Sequence, residues 1–157
     1  MSGAGAPKTE SIDGRGLNVV IVAGTWHETI TDGLIAGAER VLNAAQATHR
    51  LVRVPGSFEL AIAAQAAFAG GADAVVALGV IIRGGTPHFD YVAAATTDGL
   101  TRVSLDAGKP VGFGVLTLDD EQQGLDRAGL PGSTEDKGAE AADAALRTAL
   151  VTRELRG

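Results

Sequence analysis

The chain has no cysteine. That excludes a disulfide framework, a thiolate metal site and a cysteine nucleophile. Aromatic residues make up only 4% of it, with a single Trp and a single Tyr. The longest strongly apolar run, Ala74–Ile82, is far too short to span a bilayer. The formal charge of −6 leaves no general affinity for nucleic acid or an anionic membrane surface. No Gly-x-x-x-x-Gly-Lys-Ser/Thr run occurs, and no Gly-x-Gly-x-x-Gly follows the first apolar segment, which disfavours an ATPase or a nicotinamide enzyme. His27 and His49 stand isolated, and no His/Asp/Glu grouping has metal-site spacing, so no metal is expected. Residues 1–16 lack the apolar core of a secretion signal. A soluble protein is predicted, and the missing cysteines suit a cytoplasmic enzyme.

What is abundant is small. Gly accounts for 22 of 157 residues, about twice its average usage. Residues 1–16 read as a flexible N-terminal arm, ordered against a neighbouring subunit if at all, and 17–157 as one domain. Within that domain two periodicities alternate. Leu17–Gly24 is a β-branched run, as in a strand buried on both faces, and residues 28–46 carry an apolar helical stripe. Arg50–Val54 reads as a strand, Glu59–Ala69 as a helix, Ala74–Ile82 as a strand and His88–Asp106 as a helix. Val111–Leu118 is the fourth strand, with helices over roughly 120–128 and 134–154. Ser133, three residues before Asp136, suggests a capping box. The alternation predicts a three-layer α/β/α, flavodoxin-like unit with a four-stranded parallel sheet and helices on both faces. In such sheets ligands bind outside the carboxyl ends of the strands.

The strand ends therefore matter most, and each has two readings. Gly84-Gly85-Thr86-Pro87 allows a sharp turn, an N-cap at Thr86 and a first helical position at Pro87, which together make an anion site with His88 facing it. It could equally be a plain connection with an exposed His88. Trp26 is a core plug or a stacking plate for a flat heterocycle. Glu59 favours a helix start through the dipole, or it accepts hydrogen bonds from sugar hydroxyls. Lys137 is a cation in a first helical turn. It is compensated by Glu135 and Asp136, or it holds an anion together with Arg127.

Taken together, these strand ends resemble the lumazine synthase family, from about residue 17 to 155. The carrying segments are Ala23-Gly24-Thr25-Trp26-His27, Val54-Pro55-Gly56-Ser57-Phe58-Glu59 and Gly79 through Val92, with its Arg-Gly-x-Thr-x-His-Phe-x-Tyr-Val pattern. Pro110 through Thr117 follows, then Asp126-Arg127-Ala128-Gly129 with Lys137-Gly138. The resemblance implies condensation of 5-amino-6-(D-ribitylamino)uracil with 3,4-dihydroxy-2-butanone 4-phosphate, releasing phosphate and water. It implies that Trp26 stacks on the pyrimidine, that Ser57 and Phe58 contact this substrate near its ribityl chain, and that Glu59 accepts from ribityl hydroxyls. Val80, Ile81 and Ile82 would line the ring, with main-chain groups reading its polar edge, and Phe113 would reach it from a neighbouring subunit. Gly85, Thr86, Arg127 and Lys137 would hold the phosphate, and His88 would transfer protons. The alternative within the same fold is a catalytically idle flavin-binding or shell-forming protein.

Imine formation, phosphate loss after enolisation and ring closure all move protons, and none needs a cofactor or a metal. The resemblance further implies homopentamers with sites between subunits, and riboflavin synthase as a further partner. Some members build sixty-subunit shells. Here the stretch between Arg127 and Lys137 is about two residues longer than in typical shell formers, which predicts a free pentamer. Trp26 and His27 replace the more frequent Phe and Asn, Leu60-Ala61 replaces Ile-Pro, and Gly85 falls at a variable position.

Overall fold

The computed structural model describes residues 4–7 and 10–157. Four parallel strands, β1 (Asn18–Ala23), β2 (Thr48–Arg53), β3 (Ala74–Ile82) and β4 (Val111–Leu118), lie in the order β2-β1-β3-β4. Helices α1 (Glu28–Ala44) and α5 (Lys137–Arg156) cover one face. Helices α2 (Leu60–Ala69) and α3 (His88–Ala107) cover the other. A short α4 (Glu121–Leu125) follows β4. The α/β/α architecture expected from the alternating periodicities is present.

Side chains of successive strand residues point to opposite faces, so each central strand feeds two cores. Val19, Ile21 and Ala23 of β1 join Val76 and Leu78 of β3 beneath α1 and α5. Val20 and Val22 join Val75 and Ala77 beneath α2 and α3. Double-sided burial explains the unbroken apolar runs. Small residues then bring α5 in close. A Cβ on Gly138 would fall 2.0 Å from the Leu34 carbonyl oxygen, and one on Gly112 would fall 2.2 Å from that of Ala141.

Several boundaries differ from those expected; α4, for one, ends at Leu125 rather than near residue 128. Strand β2 begins at Thr48 rather than Arg50. It is an edge strand, and its pairing of Asn18 with Thr48 and Val19 with His49 needs no apolar side chains. Helix α1 stops at Ala44, because Gln46 takes a left-handed φ of 59°. The Gln46 and Ala47 N–H groups then close onto the carbonyls of Asn43 and Leu42, a Schellman ending. Helix α5 begins at Lys137, capped by Asp136, whose carboxylate accepts the Ala139 N–H at 3.2 Å. Ser133 is not that cap. Its hydroxyl accepts the Leu130 N–H at 2.9 Å and donates to the Leu125 carbonyl, tying off the preceding loop.

Residues 1–3, 8 and 9 of the N-terminal segment lie outside the described residues. Residues 10–16 run along the chain's own surface. Ile12 packs on the α1–α5 core, the Gly14 N–H donates to Ala45 at 2.7 Å, and Arg147 donates to the Glu10 carbonyl at 2.5 Å. Arg15 folds back on Asp13, and its side-chain hydrogen bond lowers that carboxyl to about 2.

Candidate active site

The carboxyl ends of β1, β2 and β3 converge because their loops are bonded to one another. The Gly24 N–H donates to the Leu78 carbonyl at 3.0 Å, and the Thr25 hydroxyl donates to the Pro55 carbonyl at 2.6 Å. Arg53 donates to the Gly24 carbonyl at 2.8 Å. The chain beyond Gly24 and Thr25 turns on His27, which takes a left-handed φ of 55° ahead of α1. Thr31, fully buried in the apolar stripe of α1, holds this turn by donating to the Trp26 carbonyl at 2.7 Å.

Trp26 is 67% exposed, which removes the core-plug reading. Its indole lies beside Gly56 and Glu59. A Cβ on Gly56 would meet Trp26 Cδ1 at 3.3 Å and Glu59 Oε2 at 3.5 Å. A side chain there would crowd the indole. The Glu59 carboxylate makes no capping bond to α2, which starts instead from a 3₁₀ turn over Ser57–Glu59. Phe58 is 65% exposed, whereas Ser57 is buried against β3, where a Cβ on Gly79 would strike its Oγ. Thr96 of α3, another buried hydroxyl, anchors the Ser57 carbonyl at 3.2 Å.

Strand β3 outruns β1. Its register with β1 ends at Ala23–Leu78, while its pairing with β4 continues to Ile82–Leu118. Leu78 turns its carbonyl toward β1, and main-chain direction alternates, so Val80 and Ile82 turn theirs the same way beyond the end of β1. The side chains of Val80 and Ile81 are buried, Val80 in one core and Ile81 in the other, and Ile82 packs partly buried on the α1–α5 core. What this segment offers a ligand beside Trp26 is therefore its peptide edge rather than an apolar wall.

Gly84 through Pro87 form an exposed loop after β3, and His88, also exposed, opens the next helix. Helix α3 starts at His88, as its spacing predicts, with Pro87 as the N-cap rather than the first helical residue. Thr86 is not the cap expected: its hydroxyl receives the His88 N–H only at 3.5 Å. A Cβ on Gly84 or Gly85 would meet nothing within 4 Å, so both face open space. Arg83 steadies the loop. Its guanidinium sits 4.4 Å over the Phe89 ring and pairs with Asp119 at 3.3 Å and Asp90 at 3.6 Å.

Arg127 and Lys137 form a pair of their own. The Lys137 N–H donates to the Arg127 carbonyl at 2.9 Å, next to a bridge between Ala128 and Asp136. The Arg127 guanidinium donates to the Gln123 carbonyl at 2.8 Å. Lys137 is mostly enclosed and meets Glu135 at 3.0 Å and Glu140 at 3.1 Å. Burial disfavours its charge, but hydrogen bonds to those two carboxylates outweigh that and raise its pKa. Asp136, expected to compensate it, pairs with Arg40 instead.

Phe113 lies apart. It pairs with Ala77, four residues before the Ile81–Thr117 level, so about 13 Å back along the strand at strand rise. It is half-exposed in a groove of about 310 Å³ between β4 and α3, beside Leu100 and Leu105. Within one chain it does not reach the Trp26 corner.

Sequence reasoning missed Thr31, Thr96 and Arg53, and gave Arg83, the first residue of the Arg-Gly-x-Thr pattern, no role of its own. The two threonines left a trace, a hydroxyl inside a helical face otherwise destined for the core. Arg53 left none, since its partner is a carbonyl distant in sequence, and the pattern around Arg83 does not show which groups it meets.

The family model described as 6,7-dimethyl-8-ribityllumazine synthase matches residues 16–153. A protein of that name from Leifsonia xyli subsp. xyli is 76% identical over 158 residues, covering all of both chains. One from Clavibacter michiganensis subsp. michiganensis is 67% identical, covering 100% of this chain and 99% of the relative. One from Mycobacterium sp. (strain KMS) is 58% identical, covering 99% and 97%. With strand ends, sheet order and full-length likeness in agreement, the chain belongs to the 6,7-dimethyl-8-ribityllumazine synthase family.

Proposed function

We propose that the pyrimidine substrate lies against Trp26 over the open edge of β3, and that the phosphosugar sits on the loop before α3. The reaction is that of the family. 5-Amino-6-(D-ribitylamino)uracil condenses with 3,4-dihydroxy-2-butanone 4-phosphate to give 6,7-dimethyl-8-ribityllumazine in riboflavin biosynthesis, with loss of phosphate and water. The observation that carries the site assignment is the overrun of β3 past β1. It leaves the main-chain groups of Val80 and Ile82 turned to the β1 side beyond the last β1 pair, where the chain leaving β1 carries an exposed indole beside the Glu59 carboxylate. A flat ring with a polar edge and a polyhydroxyl tail satisfies all three.

In this reading Trp26 stacks on the ring, and Val80, Ile81 and Ile82 present peptide groups to its edge. Phe58 and Ser57 border the ribityl chain, and Glu59 accepts from its hydroxyls. Gly85, Thr86 and the N-terminus of α3 receive the phosphate, with charge from Arg127 and Lys137. His88 relays protons as the imine forms, phosphate departs after enolisation and the ribitylamino nitrogen closes the ring. Phe113 is supplied by a neighbouring subunit, which puts the site between chains. A free homopentamer in the cytoplasm, handing its product to riboflavin synthase, completes the reading. The exposed Pro131-Gly132 tip, in the lengthened connection before α5, supports the free form.

Mixing the two substrates with the purified protein and following lumazine fluorescence tests the assignment. Formation well above the spontaneous rate, abolished in large part by Trp26→Ala, is expected. Flavin binding without turnover would instead establish the idle binding protein.

A further inference from the structure

Asp136 occupies a junction that the reaction itself does not explain. Its carboxylate pairs with Arg40 on α1, and it caps α5 through the Ala139 N–H. It fills the space above two glycines. A Cβ on Gly37 would strike its Oδ1, and one on Gly129, whose φ is 66°, would fall 2.5 Å from its Cγ. Its neighbour Lys137 is bonded through the main chain to Arg127, and Ala128 bridges to Asp136 itself. A single carboxylate thus joins three elements: a rigid helix, the connection carrying Arg127 and the first turn carrying Lys137.

We propose that the Arg40–Asp136 pair is a positioning device for the phosphate-binding cations, fixing Arg127 and Lys137 relative to α1 without touching substrate. The proposal rests on the reading of Arg127 as a phosphate ligand. Charge alone does not make a phosphate site; the two cations must be held where the phosphosugar arrives, and a small displacement costs binding and alignment steeply. Helix α1 is a neighbour whose position is fixed by the core, since Leu34, Ala38 and Leu42 are fully buried. Arg40 projects from the same helix, and Gly33 lets the Ala128 carbonyl approach that helix closely. Asp136 transfers that fixity to the loop.

The test is steady-state kinetics on the intact oligomer, varying each substrate in turn, for Asp136→Ala, Asp136→Asn, Arg40→Gln and Arg127→Ala. Asp136→Ala is expected to raise the KM for 3,4-dihydroxy-2-butanone 4-phosphate by about tenfold, the scale of a lost cap or charge-assisted bond. The KM for the pyrimidine should change less than about twofold, since nothing in that corner depends on Asp136. Asp136→Asn keeps the cap and loses the ion pair. It should match Arg40→Gln, and the double variant should be no worse than the worse single. Should Asp136→Ala not fold, Arg40→Gln carries the comparison alone, because Arg40 is more than half exposed. Equal changes in both KM values, or a fall in thermal stability with both unchanged, would reduce the pair to a structural tie and overturn the proposal. Arg127→Ala separates the two levels. If it raises the phosphosugar KM and the Arg40 and Asp136 variants do not, positioning alone fails; if it leaves that KM unchanged, the phosphate assignment fails and the proposal with it.

Discussion

The indole of Trp26 stands in solvent three residues beyond a strand that is almost wholly enclosed. An apolar ring so placed gains only when something flat covers it. Because it is the sole Trp, its fluorescence reports that event cleanly. Quenching by a ribitylated pyrimidine or riboflavin is expected; an unchanged spectrum at saturating ligand would remove Trp26 from the site. In the proposed site, Arg127 and His88 divide the remaining work. Loss of a general acid–base typically costs about 10²- to 10⁴-fold, and water partly replaces it at an exposed position. Loss of the charge that holds the phosphosugar costs both binding and alignment. Arg127→Ala should therefore lower kcat/KM at least as much as His88→Ala, mainly through the phosphosugar KM, while His88→Ala should act on kcat. Lys137 contributes no pH dependence near neutrality. Its pKa is raised in the fold, so the associated stabilisation is complete below the unfolded lysine value and is lost only as pH climbs through the raised one. Lys137→Met should accordingly leave the shape of the neutral pH–rate profile unchanged, and an altered shape would contradict the carboxylate-held ammonium.

Among the elements, two helices end alike on different residues. Helix α3 closes on Gly108 at φ 64°, while α1 closes on Gln46 at φ 59°. A side chain in left-handed backbone costs roughly 1–2 kcal/mol that glycine avoids. Gln46→Gly is therefore expected to stabilise the protein by up to about 1 kcal/mol, after its added chain entropy is deducted, with no effect on turnover. A lowered melting temperature would refute this. The same pair shows what is legible in the sequence. Gly108-Lys109-Pro110 announces the end of α3, but Gln46 looks like one more helical residue, so the apolar stripe alone carries α1 two residues too far. Buried strands and apolar stripes are legible because burial on both faces writes itself into composition. Strand β2 looks shorter than it is because an edge strand need not be apolar. The start of α5 is ambiguous because the Ser133 and Asp136 side chains are both suitable caps, and only the fold of residues 125–137 decides between them. At the site, loop chemistry is visible as Gly, Thr and His, whereas the overrun of β3 past β1 is not. Register between distant strands has no local signature.

At the scale of the whole molecule, one chain does not bring all the residues of the proposed site together. Trp26, Phe58 and Phe113 are all exposed, and Phe113 lies too far down β4 to meet the other two. In the proposed pentamer, a neighbouring subunit supplies the missing ring. The lengthened connection before α5 argues for an assembly that stops at that size. Light scattering should give a mass near five times the 15.8 kDa of the chain, and a particle of about sixty chains would contradict the free form. The N-terminal stretch adds a practical point. Residues 10–14 are fastened to Arg147, Ala45 and the core beneath Ile12, so a shortened gene could begin at residue 10 and leave every one of those attachments in place. Beginning at residue 16 would strip a strap from the outer face of α5 and uncover the apolar surface that Ile12 now shields.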